Sequence, residues 1–69
     1  MNDQAFRAIV KLLRMTGAAS IEAARLVLVE GRSQKEAAQA TGLTAPGVSQ
    51  AVRKCRVGLE LARVAAGVE

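Results

Sequence analysis

Residues 33–56 read SQKEAAQATGLTAPGVSQAVRKCR, and the spacing of the small, capping and apolar residues here decides the fold. Ser33 and Glu36 stand at capping-box spacing: the hydroxyl accepts the Glu36 N–H and the carboxylate reaches back to the Ser33 N–H. A short helix is expected from Gln34 to about Ala40, closed by Thr41-Gly42. Thr44 can cap the next helix, and Pro46 falls in its first turn, where a missing N–H costs nothing. No breaker follows until Gly58, so this second helix is long. Small Ala38 stands where the two helices would cross, and Gly42, four positions on, can take positive φ at the turn. Ala37, Leu43, Val48, Ala51 and Val52 would anchor both helices to the rest of the domain. This is the pattern of a helix-turn-helix over Ser33–Arg56. An ordinary helical hairpin shares the glycine turn and the apolar anchors, so charge and the exposed face must separate the two.

Charge is concentrated around the same stretch, between Gly31 and Arg56. Arg32, Lys35, Arg53, Lys54 and Arg56 face only Glu36, which accounts for the whole net charge of +4. Elsewhere Arg7, Lys11, Arg14, Arg25 and Arg63 are balanced by Asp3, Glu22, Glu30, Glu60 and Glu69. A solvated face would scatter its charges, whereas a polyanion-binding element concentrates them. At 100° per residue, Val48, Ala51, Val52, Cys55, Leu59 and Ala62 share the core arc of the long helix. Pro46, Ser49, Gln50, Arg53 and Lys54 share the opposite arc. Gln can pair with adenine and Arg with guanine in the major groove; the alternative for Gln50 is a plain surface glutamine. Ser33 and Gln34, at the start of the short helix, suit a phosphate.

Towards the N-terminus the pattern stays helical. Asp3 can cap a first helix running to about Met15, with Phe6, Ile9, Val10 and Leu13 inward and Arg7, Lys11 and Arg14 outward. Thr16-Gly17 ends it. Ser20 is expected to cap a second helix, Ile21 to Glu30, with Leu26, Val27 and Val29 supplying core and Gly31 as its left-handed stop. Abundant alanine, the single aromatic residue Phe6 and the absence of hairpin dipeptides favour helices over strands. The expectation is an all-α, four-helix domain spanning 1–69.

A chain of 69 residues buries only about 60% of the surface its unfolded form exposes, so outside support is expected. With Cys55 as the only cysteine and no histidine, an internal disulfide and the usual zinc site are ruled out. Association with another copy remains. Past Arg56, Val57, Leu61, Val64 and Val68 continue the azimuth of Pro46, Gln50 and Arg53, while Leu59 and Ala62 keep the core arc apolar. A helix apolar on two sides implies a partner. These four residues are the expected dimer interface, unless Gly58 breaks the helix and the tail folds back over Phe6. The single cysteine, the absence of an apolar run of about 18–20 residues and the lack of a signal pattern point to a cytoplasmic protein without a membrane segment.

Taken with Arg25–Gly31 and Ser33-Gln34, the run Gly42-Leu43-Thr44 followed by Val48-Ser49-Gln50-Ala51-Val52 resembles the TrfB/KorA family. Those proteins are repressors of conjugative plasmids that bind palindromic operators as dimers. The resemblance covers roughly residues 20–56 and implies that Thr44, Ser49 and Gln50 face DNA, with Gln50 on a base and Arg53 and Lys54 near the backbone or a base edge. The DNA-facing set expected is therefore Ser33, Gln34, Lys35, Thr44, Pro46, Gly47, Ser49, Gln50, Arg53 and Lys54. Two departures stand out. Ala45 replaces the arginine that follows the cap threonine in the family, so the operator sequence is not carried over. The chain also leaves no room before Glu69 for a separate dimerisation domain. The four-helix layout is similar, too, to region 4 of sigma factors.

The function expected is sequence-specific repression of transcription, with no cofactor, metal or small-molecule ligand evident. The rival is a protein-interaction module, a sigma-region-like adaptor or antitoxin-type partner that does not read DNA. Catalysis is not expected: carboxylates are few and scattered, no glycine-rich phosphate loop appears, and Cys55 falls on the core arc.

Overall fold

Four helices follow one another: α1 (Asp3–Leu13), α2 (Ala18–Leu28), α3 (Gln34–Thr41) and α4 (Ala45–Gly67). The computed structural model describes residues 1–67, with side chains to 64, and the domain is all-α. At about 1.5 Å per residue α4 is roughly 34 Å long, and it dominates a shape of 42 × 21 × 18 Å.

The helix ends follow local chemistry, with four corrections to the expectation. Asn2, not Asp3, caps α1: its extended backbone lets Oδ1 accept the Ala5 N–H at 2.7 Å. Asp3 lies inside the first turn and pairs with Arg7 at 3.0 Å. α1 also stops at Leu13, short of Met15, because Arg14 turns left-handed (φ 54). The Arg14 and Met15 N–H groups then donate back to the Lys11 and Val10 carbonyls, and Met15 packs onto the core. Ser20 is not a cap. α2 begins earlier, at Ala18, because Gly17 (φ 92) makes the turn and its carbonyl accepts the Ile21 N–H at 3.1 Å. At the far end α2 closes at Leu28 rather than Glu30, with Gly31 left-handed as expected (φ 71). The capping box on α3 is complete, both bonds measuring 3.1 Å, and Gly42 is left-handed (φ 77).

Two apolar clusters meet along α4. Ala51 and Cys55 join Phe6, Ile9 and Ala24 beneath α1. Val48 and Val52 join Ala23 and Ala37 beneath α3. Leu26, Val27 and Val29 pack against the core as expected but stay partly buried, whereas Ala23 and Ala24 are sealed completely. The reason is steric: α2 packs on both α3 and α4, and only small residues allow helices to approach closely on two sides. No polar or charged residue is buried among those described.

Gly58 does not break α4. It is a packing residue at the α1 crossing, where a Cβ would stand 2.7–3.0 Å from the Leu13 side chain. Gly58→Val should therefore overpack the crossing and destabilise by about 1–3 kcal/mol. In a domain of this size each kcal/mol lowers Tm by about 4–8 °C. A thermal melt at the parent Tm would mean that Leu13 moves aside freely.

Candidate nucleic-acid interface

Three residues, Gly42-Leu43-Thr44, connect α3 to α4. Leu43 is partly buried and packs on the Val48–Val52 cluster, which fixes the turn to the domain. Thr44 Oγ1 accepts the Gly47 N–H at 3.2 Å, and the Thr44 carbonyl accepts from Val48 at 3.0 Å. A Cβ on Gly47 would press against that same Oγ1 at 3.3 Å, so the small residue protects the cap. Because Val48, Ala51, Val52 and Cys55 are drawn into the core, the other side of α4 faces solvent. Pro46, Ser49, Gln50, Arg53 and Lys54 are all exposed there, as are Ser33, Gln34 and Lys35 at the start of α3, and Thr44. Gly47 is half-buried.

One contact joins the two helices at this surface. Ser49 Oγ donates to Gln34 Oε1 at 2.5 Å, which sets the start of α3 beside the first turns of α4. Gln34 keeps its amide nitrogen for another acceptor. Lys35, Arg53, Lys54 and Arg56 have no carboxylate partner among the described residues. By contrast Arg25 is clamped between Glu22 and Glu30 at 2.7 and 2.6 Å, and the hydrogen bonds it donates to these carboxylates push its pKa up. Arg32, part of the basic stretch in sequence, lies 3.7 Å from both Glu30 and Glu36. Within the basic stretch the free positive charge therefore resides on α4 and at the start of α3; Lys11 and Arg14, at the end of α1, are unpaired as well among the described residues.

Glu36 is held below the usual carboxylate range, first by the Ser33 N–H. Its folded pKa lies below the unfolded one, so the capping box stabilises above that range and fades as pH falls through it. An open cleft of about 260 Å³ borders the exposed face, lined by Met15, Thr16, Ser20, Gly47, Gln50, Ala51 and Lys54. Sequence reasoning missed Thr16 and Ser20 here. In the sequence both stand as helix-end signals, and only the packing of the α1–α2 turn and the start of α2 beside α4 brings them to Lys54.

A family model described as TrfB plasmid transcriptional repressor matches residues 1–67. The chain belongs to this family. The match reaches beyond the stretch of resemblance at residues 20–56, taking in α1 and all of α4 as described. No curated protein matches the chain. Membership in a transcriptional-repressor family implies a regulator rather than an enzyme. Cys55 is fully buried, its thiol pushed up by burial and 3.4 Å from Met15 Sδ, a packing role rather than a nucleophile's. Among the described residues no helix is long and apolar enough to cross a membrane.

Beyond Arg56 the exposed side of α4 turns apolar. Val57, Leu61 and Val64 are 53%, 63% and 57% exposed, and α4 carries them without interruption from the Gln50 face. Val68, the fourth residue of the expected stripe, lies outside the described residues.

Proposed function

We propose that this chain is a homodimeric repressor that binds a palindromic operator in double-stranded DNA. In this reading α3 and α4 form its helix-turn-helix, and the first half of α4 enters the major groove. The observation that carries the reading is the exposed face of α4. Ser49, Gln50, Arg53 and Lys54 stand opposite the buried seam, with no carboxylate partner for either cation among the described residues. Gln50 reads an adenine through its amide, and Arg53 takes a guanine edge or a phosphate. Ser33, Gln34, Lys35 and Thr44 fix the register on the backbone, and Pro46 and Gly47 permit close approach. Val57, Leu61 and Val64, with Val68, pack on their symmetry mates, and the protein acts in the cytoplasm without a cofactor.

Retention of a random-sequence duplex at low salt, followed by selection of bound sequences from a random pool, tests this reading. A palindromic consensus is expected. Failure to retain any duplex would favour the protein-interaction adaptor instead. Within the selected site, Gln50→Ala should lose discrimination at one base pair per half-site, at about 1–3 kcal/mol per contact. Its affinity for random DNA should barely change, because no phosphate contact is lost. A parental ratio of operator to random binding would remove the base-reading role from Gln50.

A further inference from the structure

The cleft beside the Gln50 face brings together groups from two distant parts of the chain. Thr16 comes from the α1–α2 turn and Ser20 from the first turn of α2, and Lys54 and Gln50 come from α4. Two hydroxyls, an ammonium and an amide line it, and no carboxylate does; Lys54 has no ion-pair partner among the described residues. That donor set suits an anion with several oxygens. At about 260 Å³ the cleft far exceeds the roughly 30 Å³ a water takes in the liquid, so a phosphodiester fits. Small-molecule sites bury most of their ligand in an enclosed, mainly apolar hollow. This one is open to solvent, which suits a strand lying across it better than an enclosed small molecule.

We infer that Thr16, Ser20 and Lys54 hold a DNA backbone phosphate next to the bases that Gln50 reads, which makes the α1–α2 turn and the start of α2 part of the DNA interface. The inference rests on the DNA-binding reading above and deepens it. Phosphate contacts set orientation rather than sequence choice. A grip on both sides of α4, from Gln34 and Ser33 on one flank and Thr16 and Ser20 on the other, would fix the angle at which α4 enters the groove.

The test uses the full chain and a random-sequence duplex, with thermal melts confirming that each variant is folded. Thr16→Val/Ser20→Ala should weaken binding by roughly tenfold, with the salt dependence unchanged because no charge is removed. Lys54→Gln should lower the salt slope by about 0.9 per subunit. The combined variant should lose less than the product of the two effects, as groups sharing one phosphate require. Parental affinity in Thr16→Val/Ser20→Ala overturns the inference and leaves the DNA-binding reading standing. A parent that binds no duplex overturns the DNA-binding reading itself. Inorganic phosphate titrated into the DNA-free protein should leave the Thr16 and Ser20 amide resonances in place. A saturable shift would make the cleft a free-anion site and overturn its assignment to DNA.

Discussion

Raising the salt from about 50 to about 200 mM should weaken binding to duplex DNA by roughly four orders of magnitude. Lys35, Arg53, Lys54 and Arg56 are the cations of the basic stretch that no carboxylate neutralises among the described residues. If each of the four meets a phosphate in both subunits, eight counterions leave the DNA. At about 0.9 per phosphate the slope of log K against log salt is then near −7. Arg32 adds little, because Glu30 and Glu36 already lie near it. The cheapest measurement is retention of a labelled duplex over a salt series. A slope shallower than about −3 would mean that the basic face of α4 is not at the DNA.

Leu61→Glu should convert the proposed dimer to monomers and reduce affinity for the proposed palindrome by about 10²–10⁴-fold, the factor that linking two half-sites supplies. Leu61 is 63% exposed, with Val57 and Val64 on the same side of α4 and similarly uncovered. Three large apolar groups in a row on a small domain call for a cover, and a second copy offers the same stripe across a two-fold axis. A carboxylate at its centre would be buried unpaired in the dimer, which costs far more than the lost apolar contact. The monomer should still bind half-sites, and its salt slope should fall to about half that of the parent. Sedimentation over a concentration range, beside the parent, provides the readout. A Leu61→Glu dimer would move the interface elsewhere, with exposed Leu12 of α1 the next surface to test. A monomeric parent would remove the dimer from the reading altogether. Some loss of Tm is expected with dissociation, since dimerisation stabilises a small domain by mass action.

What the sequence determined by itself is what local chemistry controls. Ser33 and Glu36 form the capping box, Gly31 and Gly42 take positive φ, and Val48, Ala51, Val52 and Cys55 form the inner seam of α4. Each depends on neighbours within about one helical turn, so spacing was enough to find them. The exposed face holding Ser49, Gln50, Arg53 and Lys54 was legible for the same reason, as the complement of that seam. Tertiary structure decided what depends on which distant surfaces meet. Gly58, a breaker by composition, is a contact point because Leu13 packs onto it. Ala23 and Ala24, rather than the larger residues of α2, are sealed because two helices press on α2 from different sides. Ser20 resembled a cap, but Gly17 turned the chain first and left its hydroxyl in a cleft with Lys54. Periodicity tells which face of a helix is buried. It does not tell what lies across from that face, and contacts between residues far apart in sequence supply the rest.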